Sequence, residues 1–198
     1  METETYRQRD RLRLVYTSSS SGVLIEGALE SFNSYGLTLS MDGIIRYFPY
    51  SEFCEDIEPC EEGLIVKRPY DPRLLDCDPT GDVAKACCSV LRGMNREVPE
   101  DEYSKMLGDS SAEITKKYNT EENISTSVAN KIHHGLYDSG LIEFFYKGNG
   151  LNTETFVRRA EKYERMSEEE IRDEVLKNLD REVIYTRLVL GPLIRSAV

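Results

Sequence analysis

A chain of 198 residues with 39% hydrophobic side chains can build one large core or two small ones. No apolar run reaches the ~18 residues of a spanning helix, and the opening Met-Glu-Thr-Glu-Thr-Tyr-Arg is too polar for a signal peptide, so the expectation is a cytoplasmic protein with no membrane contact. A formal net charge of -11 excludes a surface that is basic throughout, the usual footprint of a general nucleic-acid coat.

The first period-two pattern starts at Arg11. Leu12, Leu14 and Tyr16 alternate with Arg11, Arg13 and Val15 as a first strand, and Ser18 to Gly22 reads as a loop. Val23 to Phe32 predicts a long second strand, with Gly27 inside it where glycine marks a sharp bend. Asn33 to Gly36 turns the chain. Leu37 to Met41 and Ile44 to Phe48 flank Asp42-Gly43, a two-residue hairpin signal. Pro49 to Phe53 reads as a short turn and Cys54 to Ile57 as a fifth strand.

Five short strands, a bent second strand and a late single-turn connection resemble the SH3-like and Sm-like small β-barrels. Gly27-Ala28-Leu29-Glu30-Ser31-Phe32 looks like the bent Gly-x-Leu-x-x-Phe strand of the Sm-like proteins. The RNA pocket of that family is not carried over. Asn33 takes its first place, but Leu37 stands where an Asn belongs, and Arg46-Tyr47-Phe48-Pro49 replaces the Arg-Gly pair. The resemblance therefore implies a barrel used for domain or dimer contacts.

Pro59 to Pro79 is rich in proline and acid, with one brief strand at Leu64 to Lys67, and reads as a linker. Asp78 or Thr80 caps a helix whose stripe is Val83, Cys87, Val90, Leu91 and Met94. Pro99 opens another, Glu100 to Leu107, with Gly108 as its stop. Ala112 to Tyr118 is a third, and after a polar break Ser125 or Thr126 caps a fourth, which buries Val128, Ile132 and Leu136. Gly140 supplies its left-handed end and Leu141 folds back onto its last turn. Ile142 to Lys147 is β-favouring, and Gly148-Asn149-Gly150 suits a hairpin turn. Thr153 to Met166 reads as helical. Ser167-Glu168-Glu169-Glu170 is a capping box that starts a long helix to about Leu190, where Gly191-Pro192 ends it.

Ser-x-Val-x-x-x-Ile-x-x-x-Leu followed by Gly-Leu-Ile, a strand and a Gly-rich turn resembles the second half of a winged-helix domain, with Ala112 to Tyr118 as its preceding helix. The sequence departs from that family in the length of the connection, Asn119 to Ile124. The fold expected is thus α+β: a small five-stranded barrel of SH3/Sm type at 1–60, a linker at 61–80, a mostly helical domain with winged-helix character at 81–166 and a C-terminal helix at 167–198.

Five cysteines leave one unpaired, and Cys87-Cys88 beside widely spaced Cys54, Cys60 and Cys77 fits no zinc pattern, so reduced thiols and no metal are expected. His133 and His134 diverge by about 100° on a helix and cannot act as one relay. No phosphate loop or nucleophile elbow occurs, which predicts a non-enzymatic protein without a cofactor.

Charge narrows the functional readings to two. Residues 111–160 hold six basic and six acidic side chains, the one quarter that is not acidic. The first reading is a regulatory or adaptor protein that binds DNA or RNA through this region, with Lys116, Lys117, Ser127, Asn130, Lys131, His134, Lys147, Arg158 and Arg159 as contact residues. The other is a protein-protein interaction module on the same scaffold without nucleic acid. The long terminal helix, with Ile171, Val175, Leu179 and Leu188 on one stripe, predicts a homodimer through 168–190.

Overall fold

A computed structural model describes residues 2–18, 21–118, 122–148 and 153–196. The protein is α+β and divides into two units, one formed by Met1–Cys77 with Val189–Val198, the other by Asp78–Leu188.

In the first unit the predicted meander is present as β2 (Arg11–Ser18), β3 (Ser21–Phe32), β4 (Gly36–Met41) and β5 (Ile44–Pro49), antiparallel in the order β2-β3-β4-β5. Asp42 (φ 49°) and Gly43 (φ 80°) form the tight turn between β4 and β5, the twist-compatible hairpin that Asp-Gly favours. The irregularity in β3 falls between Leu29 and Ser31, where Glu30 is the extra residue of a bulge. Tyr50–Glu52 is a single 3-10 turn.

Among the described residues these strands do not close a barrel. Past the 3-10 turn only Phe53 bridges back, to Tyr16. The chain then leaves the sheet because Glu55 turns inward, its carboxylate accepting the Val15 N–H at 3.0 and 3.1 Å and the Tyr70 hydroxyl. The fifth strand begins at Asp56 and belongs to a second sheet, of β6 (Asp56–Cys60), β7 (Gly63–Arg68) and β1 (Glu2–Tyr6), in the order β1-β7-β6. The expected linker at 61–80 is therefore structural down to Cys77. Leu64, Val66, Arg68 and Tyr70 are buried, and Gly63 lies so close to β1 that an added Cβ would meet the Tyr6 carbonyl oxygen at 2.1 Å. The two sheets share one apolar core, in which Leu12, Leu14, Leu29, Leu37 and Leu39 meet Ile57, Leu64 and Val66.

The second unit starts at α1 (Pro79–Gly93), capped by Asp78, whose carboxylate accepts the Gly81 N–H at 2.9 Å. After β8 (Glu97–Pro99), α2 (Glu100–Lys117) runs straight through Gly108 and absorbs both shorter helices expected there. Gly108 costs about 1 kcal/mol relative to alanine inside a helix. The burial of Tyr103, Leu107 and Ile114 on one stripe outweighs it. α3 (Glu122–Asp138) begins before Ser125, which is not a cap but shares a 2.8 Å hydrogen bond with Ser111 of α2. The two helices are thus separated only by 118–121, a shorter connection than the sequence indicated.

At its other end α3 closes as expected. Gly140 takes φ 63°, its N–H donates to the Tyr137 carbonyl, and Leu141 N–H donates to that of Leu136. β9 (Ile142–Lys147) follows, and the expected turn at 148–150 lies partly outside the described residues. The predicted helix at 153–166 is instead β10 (Glu154–Arg159) and a 3-10 stretch, Glu161–Arg165. Thr155, Phe156 and Val157 are β-favouring, and β10 pairs on both sides, giving the order β8-β10-β9. Val98 and Val157 are buried in the helix core.

The terminal helix is also broken. Ser167 and Glu170 form the capping box of α4 (Glu168–Asn178), but Leu179 is extended (ψ 130°) and Asp180 caps a new helix, α5 (Arg181–Tyr185). A π-helical stretch, Thr186–Leu190, leads into α6 (Gly191–Ser196), where Pro192 is accommodated in the first turn rather than ending the helix. Ile171, Val175, Leu179 and Leu188 are at most 8% exposed, so the stripe expected at a dimer interface is covered by this chain and offers no apolar face to a second copy.

Candidate functional site

The predicted contact residues divide by their surroundings. On α3, Val128, Ile132 and Leu136 are buried, and Gly135 lets the helix pack tightly, its position 3.2 Å from both Cys87 and Val175 for an added Cβ. Asn130 and His134 face solvent, with His134 3.5 Å from Asp138 one turn on. Ser127 accepts a hydrogen bond from Arg187. Lys131 is half-buried and lines, with Ser127, Val83 and Leu188, an apolar pocket of 10 Å³. That volume holds about one water and excludes a base or cofactor.

Three of the other basic candidates, Lys117, Lys147 and Arg158, are matched by carboxylates. Lys117 at the end of α2 lies 2.5 Å from Asp82 of α1, which also accepts the Tyr118 hydroxyl at 2.6 Å. Burial opposes the charge on Asp82, but these two donors and Lys85 outweigh it and hold the carboxyl below its ordinary range. Lys116 is exposed beside it. On the outer face of the three-stranded sheet, Lys147 pairs with Glu97, and Arg158 donates to Glu143 through two nitrogens at 2.9 and 2.7 Å. The register explains this: Glu143, Arg158 and Glu97 stand opposite one another across three strands. Phe145 and Phe156 are opposed in the next row, 5.8 Å apart, with Lys147 over one ring (4.5 Å) and Arg158 over the other (5.3 Å). Arg159 alternates to the other face, its guanidinium 5.0 Å from the Tyr163 ring.

The structure adds a cluster that the sequence reading did not assemble. Phe144 of β9 points toward the helices and meets Tyr103 of α2 and both His133 and Tyr137 of α3, with ring centres 5.8–6.1 Å apart. His133 is stacked on Tyr137 at 11° and shares a 3.2 Å hydrogen bond with the Tyr103 hydroxyl. Burial, reinforced by His134, lowers the His133 pKa below its usual 6.5, so the ring is neutral at pH 7. Tyr103 is buried, while Tyr137 at the rim is 52% exposed, and Tyr146 further along β9 is 74% exposed. The arrangement is a supported aromatic patch with polar neighbours.

Among the described residues no group of three or more His, Cys, Asp or Glu is placed to hold a metal, and no helix is long and apolar enough to cross a membrane. No family model, curated protein or solved structure matches this chain.

Proposed function

We propose that Asp78–Leu188 is a winged-helix-type docking module that binds another protein through α3 and β9, the second of the two readings the sequence left open. The element order α1-β8-α2-α3-β9-β10, the sheet order β8-β10-β9 and the short connection at 118–121 support the winged-helix assignment. The observation that carries the docking role is the pairing of the cations: Lys117 with Asp82, Lys147 with Glu97 and Arg158 with Glu143. Surface pairs of this kind are worth only about 0–1 kcal/mol each. Their weight here is in the net field. A phosphate approaching these cations meets their carboxylates too, and the favourable counterion release of nucleic-acid binding largely disappears. The exposed side of α3 instead presents Asn130 and Tyr137, and interface centres are enriched in tyrosine and depleted in charge.

Two measurements test the reading. Fluorescence anisotropy with an arbitrary duplex and an arbitrary single strand is expected to show no saturable binding near physiological salt. Saturable binding with a salt slope of about -3 or steeper, lost in Lys131→Glu/Lys147→Glu, would establish the nucleic-acid reading instead. In parallel, affinity capture is expected to retain a protein that Tyr137→Ala/Tyr146→Ala no longer holds, with the variant's melting temperature unchanged.

A further inference from the structure

One row of the three-stranded sheet is charged unlike the others. Beyond the Arg158–Glu97 pair, the Arg159 N–H donates to the Arg96 carbonyl at 3.3 Å, which places these residues opposite one another. Both side chains line one cleft, and like charges held side by side repel. Arg158 and Lys147 on the same sheet each have a carboxylate. For Arg96 and Arg159 no ion pair forms among the described residues, and Arg159 Nε is shut off from solvent without an acceptor. Tyr163 lies against the Arg159 guanidinium, which fixes its plane. A polar cleft of 640 Å³ opens here, with both arginines on its wall. Lys162, on the same wall, is already engaged by the Ser139 carbonyl (3.0 Å) and Glu174 (2.8 Å).

We propose that Arg96 and Arg159 form a binding site for a single phosphomonoester dianion, carried either by a small molecule or by a phosphorylated side chain. Two guanidinium forks offer several coplanar donors to tetrahedral oxygens, and a dianion between them converts a repulsive row into an attractive one. The rest of the lining sets the size of the charge. Glu97, Glu143, Glu161 and Glu164 line the same cleft. A nucleic-acid strand would push its neighbouring phosphates against these carboxylates, whereas one isolated phosphoryl group would not. The site is separate from the α3 patch, and its test is independent of protein docking.

The full chain is titrated with inorganic phosphate while the arginine Nε–Hε resonances are followed, with sodium chloride at matched ionic strength as the reference. The Arg159 resonance is expected to shift saturably, with half-saturation at about 1 mM, as for a weak specific contact. Arg96→Gln, an exposed position that leaves the fold intact, and Arg159→Gln are each expected to weaken binding at least tenfold, and Arg172→Gln on α4 is expected to leave it unchanged. Phosphoserine and a phosphoserine-containing peptide separate the two sources: equal affinities assign a small molecule, and tenfold tighter peptide binding assigns a phosphorylated chain. A shift that stays linear to ten times the expected midpoint, or keeps its midpoint in Arg96→Gln, overturns the site. Tighter binding of a short oligonucleotide than of either phosphoserine ligand overturns the single-dianion assignment.

Discussion

Burial divides the five thiols. Cys54, whose Sγ donates to the Leu193 carbonyl at 3.3 Å, is pushed up to about 12, and burial raises Cys87 and Cys88 as well. Cys60 and Cys77 are partly exposed. Because the thiolate is the reactive species, a disulfide reagent at neutral pH is expected to titrate two thiols quickly and the other three only on unfolding. Fast reaction of four or more would contradict the burial. Two titratable side chains make stability depend on pH in opposite senses. His133 has a folded pKa lowered by burial, so its contribution is complete above 6.5 and is lost as pH falls through its folded value. His133→Asn keeps an acceptor for Tyr103 and is expected to flatten the loss of urea resistance as pH falls below 6.5. Glu55 runs the other way: burial raises its pKa against the Tyr70 and Val15 donors, so its contribution is present below 4.5 and declines as pH rises. Glu55→Gln, retaining an acceptor, is expected to reduce that decline in the first unit, measured as the urea midpoint at acid and neutral pH.

Elements whose signals are local were legible in the sequence. Asp42-Gly43, the Asp78 cap, the Ser167/Glu170 box, Gly140 and the Val128/Ile132/Leu136 stripe each act within a few residues, and each does what its chemistry dictates. Where the deciding partners are distant in the chain, local signals mislead or fall silent. Burial carries α2 through Gly108, pairing with β7 makes a strand of the exposed, glutamate- and threonine-rich β1, and two neighbouring strands hold β10 although 153–166 reads as helical. The site was hidden for the same reason: Glu97, Glu143 and Arg158 are far apart in the chain, and only the sheet register brings them together. A glycine sets the close packing of α3. Gly135 leaves no room beside Cys87, Val175 and Leu179, so Gly135→Val is expected to cost about 1–3 kcal/mol, read as a lowered thermal midpoint. An unchanged midpoint would show that the helices can separate without loss.

At the scale of the molecule, the first unit is assembled from two stretches of chain. Val189, Leu190 and Leu193 are buried in it, and a Cβ at Gly22 of β3 would lie 2.4 Å from Ile194. Each buried aliphatic side chain contributes roughly 1.5–3 kcal/mol. A chain ending at Leu188 is therefore expected to lose cooperative unfolding of the first unit while residues 78–188 keep theirs, a difference visible as one calorimetric transition in place of two. This discontinuity also sets a timetable. During synthesis Met1–Cys77 emerges without its last strip of core, and Asp78–Leu188, being contiguous, can close first. Of the two units, the one made earlier is then finished later, and an interruption before Val189 would spare Asp78–Leu188 and strand Met1–Cys77.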